Sequence, residues 1–117
     1  MLPVPMMVTS MGAPRRVIIS TVRQEHARYF RVPGVDGIEA LHASFVRHAY
    51  RPHSHPTWTI AVIERGAAEF DVDATHHRAD HGELFVLEPE AVHTGMAAVP
   101  EGWQYKVLYV DPALLPA

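Results

Sequence analysis

Turn-forming residues divide this chain into short segments, spaced about 8–12 residues apart. Proline, glycine and aspartate mark these turns at residues 32–37, 73–74, 80–82 and 100–102. The segments between them alternate apolar and polar side chains, and Trp58, Ile60 and Val62 share one face of the clearest segment. The pattern predicts an all-β antiparallel sandwich or barrel, with a long strand over residues 38–50 and a tight turn at 64–66.

The two ends of the chain depart from this β pattern. Residues 1–15 are rich in methionine and proline and predict a flexible tail, with an arm over a pocket as the alternative. Residues 16–117 form the predicted domain, which begins with a β-branched stretch at 16–20. Asp111 and Pro112 have the residue types of a helix N-cap and first position, so we expect a helix to begin there. Because this helix has no body before residue 117, we expect the chain to be part of a longer protein.

Composition excludes several classes of function. The 117 residues suffice for one domain with a modest core, and the absence of cysteine excludes disulfides and thiolate chemistry. A net charge of −3 is a poor match for nucleic-acid phosphates. There is neither a secretory signal nor a stretch long enough to span a membrane, so we expect a cytoplasmic protein.

Three histidines are the candidate chemical centre. His53 and His55 are two residues apart in an extended segment, so both imidazoles point to one side, and strand parity adds Thr59 to that face. His93 lies in a later extended segment and reaches the same place if the strands close into a barrel. Such a triad suits zinc, nickel, copper or iron. The alternative is a metal-free cluster that hydrogen-bonds internally, to Thr59 or to water.

The last predicted strand supplies two further candidate ligand-binding residues. Tyr105, Val107 and Tyr109 share one of its faces, and the phenol groups are polar handles for a small ligand. Packing in the core is the alternative role for these side chains. His42 and His48 share one face of the first long strand and could reach the pocket, with solvent exposure favoured for His48.

The order of these residues resembles the two motifs of cupins. The first motif is a His-x-His pair, a glutamate and a glycine, matched by His53, His55 and Gly66, but Thr59 stands at the glutamate position. The second is matched by Gly82, Pro89 and His93, with the proline one place late. More specifically, the chain from about residue 30 to residue 115 resembles the N-terminal effector-binding domain of AraC-type transcriptional regulators. The matching pieces are Arg51-Pro52-His53-Ser54-His55, Ile63-Glu64-Arg65-Gly66-Ala67, Gly82-Glu83-Leu84, Glu88-Pro89-Glu90-Ala91-Val92-His93-Thr94-Gly95 and Tyr109-Val110-Asp111-Pro112.

The resemblance implies a fold and a function. The fold is a cupin-like double-stranded β-helix, or jelly-roll barrel, that senses a small molecule without being an enzyme and often forms a homodimer. DNA is bound by a C-terminal domain with helix-turn-helix units, which this chain lacks. Losing the glutamate removes one anionic ligand and weakens any metal site.

Two other functions stay open at this stage. One is a stand-alone metal-dependent cupin enzyme, a dioxygenase or isomerase, with the histidine triad as its centre. The other is a dimerisation module whose barrel is dry and filled.

Overall fold

Residues 25–115 are described by the computed structural model, so the predictions for residues 1–15 and 16–20 lie outside the described part. Eight strands follow one another along these residues, and the predicted all-β fold is confirmed. The strands are β1 (His26–Arg31), β2 (Ile38–Phe45), β3 (Tyr50–His53), β4 (Trp58–Val72), β5 (Thr75–Asp80), β6 (Leu84–Leu87), β7 (His93–Ala97) and β8 (Trp103–Val110). Within residues 25–115 no helix has the length and hydropathy needed to cross a membrane.

The strands form two antiparallel sheets that share β4. Sheet A contains β1, β2, β8, the first half of β4, and β6. Sheet B contains β3, β7, the second half of β4, and β5. Their inner faces enclose the core, which consists of alanine, larger aliphatic and aromatic side chains: Ala27, Leu41, Ala43, Phe45, Ala61, Ile63, Ala68, Phe70, Ala79, Leu87, Trp103, Tyr105, Val107 and Tyr109.

The tight turn predicted at residues 64–66 is wrong, because β4 continues through it. Its pairing with β8 shifts register between Ile63 and Arg65, which marks a β-bulge. Gly66 has φ +69°, and a Cβ at this position would lie 1.9 Å from the carbonyl oxygen of Gly102. The glycine therefore lets the strand bend from sheet A into sheet B, as corners of β-barrels require.

The single strand predicted over residues 38–50 is also wrong, since it divides into β2 and β3. The carboxylate of Glu25 accepts hydrogen bonds from the backbone N–H groups of Arg47 and His48, at 2.5 and 2.8 Å. These two N–H groups therefore need no partner on a neighbouring strand, and the chain can turn between β2 and β3. In β2 the inward face consists of Leu41, Ala43 and Phe45.

The helix expected near residue 111 is a single 3-10 turn, Pro112–Leu114. The prediction that Asp111 is an N-cap is confirmed, because its side chain accepts a hydrogen bond from the N–H of Ala113 at 2.9 Å. The turn is exposed, and no α-helix forms in the described part of the chain.

Candidate functional site

The two sheets bring the three predicted histidines together. His53 ends β3 and pairs directly with His93, the first residue of β7, while His55 follows β3 in the loop that leads to β4. The ring centroids are 4.3 Å apart for His53 and His93, 5.0 Å for His55 and His93, and 5.8 Å for His53 and His55. One ligand atom from each residue lies within 4.8 Å of the other two. The residues that the sequence separates by about forty positions thus form one cluster.

Backbone carbonyls fix the tautomer of two of these rings. Nδ1 of His93 donates to the carbonyl of Ala91 at 3.0 Å, and Nδ1 of His53 donates to the carbonyl of Arg51 at 2.5 Å. A carbonyl can only accept, so the proton sits on Nδ1 and the lone pair on Nε2. Nδ1 of His55 likewise has a partner, the hydroxyl of Thr57 at 3.3 Å. The two rings whose Nδ1 donates to a carbonyl, His53 and His93, therefore keep Nε2 free for a ligand, as metal-binding histidines do.

Burial favours the neutral form of two of the three rings, His55 and His93. The pKa of His55 is lowered to about 4, first by desolvation and then by the neighbouring His93 and His53. Desolvation also lowers the pKa of His93, against the opposing effect of its hydrogen bond to Ala91. Neutral imidazole is the form that binds metals, so these rings need no deprotonation near pH 7.

The triad forms one end of a small internal cavity. The cavity volume is about 40 Å³, which is room for roughly three waters. The lining residues are mostly aromatic, apolar or neutral polar: Tyr50, His53, His55, Thr59, Phe70, Phe85, Leu87, His93, Thr94, Gly95, Trp103, Tyr105, Val107 and Tyr109. No aspartate or glutamate of the described residues lines this cavity.

The other predicted ligand-binding residues also face the cavity. Tyr105 and Tyr109 lie on the inward face of β8, and the edge of the Tyr109 ring meets His55 with centroids 5.3 Å apart. Burial raises the pKa of both phenols well above the usual value, so both remain hydrogen-bond donors. Thr59 is 5% exposed, and its Oγ1 has no hydrogen-bond partner within the described part of the chain.

Sequence reasoning missed Tyr50, which lines the cavity and whose hydroxyl lies 3.4 Å from that of Tyr105. On a regular strand Tyr50 and His53 would face opposite sides. The pairing of β3 with β7 shifts register between them, so both side chains point inward. Pro52, which cannot donate to a ladder, was the available signal for such an irregularity.

The remaining histidines lie outside the cavity. The expectation that His42 reaches the pocket is wrong, because alternation along β2 points it outward, where its Nε2 lies 2.9 Å from Glu64 Oε1. His76 is exposed on β5, with its Nδ1 2.9 Å from Asp71 Oδ1. His77 and His81 are exposed as well. Only three histidines of the described residues therefore share the cavity.

The triad fits a divalent metal ion. Nε2 is free on His53 and His93, burial favours the neutral form of His55 and His93, and the cluster is brought together from two strands and a loop. Zinc binds imidazole nitrogen at about 2.0–2.1 Å, so the rings need at most a small inward movement to share an ion. His53, His55 and His93 would hold it, and no protein carboxylate from the described lining would accompany them.

Comparison with solved structures identifies the fold. A cupin 2 conserved barrel domain protein from Salinispora arenicola is 18% identical, with a TM-score of 0.66, over 90% of this chain and 94% of that chain. An rmlC-like cupin from Methanocaldococcus jannaschii with a double-stranded β-helix fold is 13% identical, with a TM-score of 0.67, over 91% and 100%. Oxalate decarboxylase of Bacillus subtilis, a protein with Mn(II) centres, is 19% identical, with a TM-score of 0.65, over 76% and 26%. These likenesses confirm the predicted double-stranded β-helix.

Comparison of sequences identifies the family. No curated protein matches the chain. The model of the AraC-like ligand-binding domain matches residues 37–117, which is more than half of the chain and contains every residue of the predicted site. The match agrees with the resemblance seen in the sequence from about residue 30 onward. This chain belongs to the AraC-like ligand-binding domain family.

Proposed function

We propose that this chain is the effector-sensing domain of a transcription regulator, and that its ligand binds between the three histidines and the tyrosines. Ligand occupancy would control DNA binding by a helix-turn-helix domain elsewhere in the full-length protein. The role of the domain is binding, and the residues that carry it are His53, His55, Thr59, His93, Tyr105 and Tyr109.

One observation carries this proposal: a buried cavity has free imidazole nitrogens at one end and neutral phenols along its wall. Binding sites combine an apolar lining with a few converging polar groups, and this cavity has that composition. Family membership supports a small-molecule ligand. At about 40 Å³ the cavity admits only a small ligand or an ion unless the aromatic side chains move.

The test is a thermal-shift screen of the purified chain against divalent ions and small organic molecules. We expect at least one compound to raise Tm in the wild-type protein, because a ligand that binds only the folded state stabilises it. The His93→Ala variant should lose this response, and the His76→Ala variant, altered on the exposed face of β5, should keep it. An equal response in both variants would contradict a ligand site at the triad.

The regulatory half of the proposal has its own test. The gene should continue beyond residue 117 into a region with helix-turn-helix motifs. An electrophoretic mobility assay with the full-length protein and its upstream DNA should then change on adding the compound found in the screen. A gene that ends at residue 117 would contradict control of a covalently attached DNA-binding domain.

A metal-dependent cupin enzyme is the second candidate, favoured by the Nδ1 hydrogen bonds that leave the Nε2 lone pairs of His53 and His93 free. A bound ion would supply Lewis-acid or redox chemistry to a small substrate. In this case the chain's own residues would orient the substrate, with Tyr105 and Tyr109 as donors. Elemental analysis of protein purified without chelator tests this candidate: the enzyme requires a stoichiometric metal, and protein without one would contradict it.

A further inference from the structure

The charge of the cavity wall points to the chemical class of ligand. A divalent ion held by three neutral imidazoles keeps its full double charge, because no acidic residue of the described chain lines the cavity. An uncompensated charge in a buried site is costly, so the site favours a ligand that brings the missing negative charge. Thr59 stands where the resemblance places a glutamate, and it lines the cavity with a side chain that carries no negative charge.

Two residues of the cavity lining carry polar atoms without partners within residues 25–115. Oγ1 of Thr59 and Nε1 of Trp103 are buried without a hydrogen-bond partner among the described residues, and both residues line the cavity. A buried donor without a partner is energetically unfavourable, and a ligand with acceptor atoms relieves this penalty. Tyr105 and Tyr109 contribute further neutral hydroxyl groups to this wall.

We propose that this pocket binds a small carboxylate, which lies beside Thr59 and a divalent ion on His53, His55 and His93. The inference rests on the proposed ligand site and specifies its chemistry. Formate and acetate match the cavity of about 40 Å³, whereas a benzoate-sized acid does not unless side chains move. A carboxylate also offers two acceptor oxygens, one for the ion and one for the donors of the wall.

The experiment is calorimetric titration of metal-free protein with zinc, with and without excess formate, acetate or chloride. In the wild-type protein we expect formate and acetate to tighten zinc binding by about tenfold or more, with a smaller effect of chloride. Thr59→Glu should bind zinc more tightly than the wild type and no longer respond to formate, because the side chain then supplies the carboxylate. Thr59→Val, which keeps the shape without the hydroxyl, should show a weaker formate effect.

The matched control is Thr75→Glu, which adds the same carboxylate on the exposed part of β5 and should behave as the wild type. Zinc binding that formate leaves unchanged in the wild type overturns the carboxylate proposal but leaves the effector site standing. A chloride effect equal to that of formate overturns the carboxylate class. If the wild type binds no zinc, this inference fails, while the thermal-shift screen still decides the proposed function. The wild-type result holds even if Thr59→Glu fails to fold.

Discussion

The inner and outer histidines of this chain have different partners. His42 and His76 lie on outer faces and each contacts a carboxylate, Glu64 and Asp71, at 2.9 Å. His53 and His93 face the cavity and hydrogen-bond instead to backbone carbonyls. The outer rings lie beside carboxylates at partly exposed positions, whereas the inner rings hydrogen-bond to carbonyls and present a free Nε2. Two features therefore distinguish the histidines of the candidate site from those of the surface. The site histidines point inward from their strands, and they have no carboxylate partner in the described part of the chain.

The largest expected difference between the two groups is in metal affinity. We expect the double variant His53→Ala, His55→Ala to bind zinc at least about 10³-fold more weakly than the wild type, a loss of about 4 kcal/mol. The reason is that two of three ligands are removed. The double variant His42→Ala, His76→Ala is the matched control and should retain wild-type affinity in the same calorimetric titration. Equal losses in the two variants would remove the distinction between inner and outer histidines.

The second difference concerns acid stability of the metal-free protein. Burial lowers the pKa of His55 to about 4 in the folded protein. Between about pH 6.5 and pH 4 the unfolded chain therefore binds more protons than the folded chain. Stability should therefore fall as pH decreases through this window, by at most about 3 kcal/mol from this residue. Urea unfolding at several pH values measures the loss.

The variant that isolates this contribution is His55→Gln, whose side chain does not titrate. Its free energy of unfolding should fall less steeply than that of the wild type over the same pH range. His76→Gln, on the exposed face of β5, should reproduce the wild-type slope. A His55→Gln curve parallel to the wild-type curve would show that burial of His55 does not govern the acid response.

The smallest expected effect is at the outer cluster around Glu64. Desolvation raises the pKa of this carboxyl, but hydrogen bonds from Gln104, Lys106 and His42 outweigh it and leave the pKa lowered. Part-exposed ion pairs contribute little, so Glu64→Gln should destabilise the protein by less than about 1 kcal/mol at neutral pH. It should not alter zinc affinity. A change in zinc affinity on this substitution would mean that the outer cluster influences the cavity.

The sequence predicts most of the fold because alternation and turn residues are local signals. Thr59 and Ala61 are buried and Trp58 is less so, as the period of two requires. The wrong predictions occur where the same residues are found in two kinds of local structure. A Glu-Arg-Gly run is a turn signal, but Gly66 here supports a bulge in a continuous strand, and only the position of Gly102 reveals the difference.

The candidate site is predictable to a lesser extent. The convergence of His53, His55 and His93 follows once a closed barrel is assumed, and Thr59 follows from parity. Tyr50 does not follow, since its inward direction depends on a register shift between β3 and β7. The volume of the cavity also cannot be predicted from the sequence, because it depends on how several aromatic side chains pack against each other.

The bulge in β4 also determines how the chain responds to changes in length. Before it, Ala61 and Ile63 are buried, and after it Ala68 and Phe70 are buried, so the inward positions change from odd to even numbers. Deleting one residue ahead of the bulge would turn the preceding half-strand over and bring Trp58 into the space of Thr59. The loss of a single residue ahead of the bulge thus displaces every inward side chain of this half-strand at once.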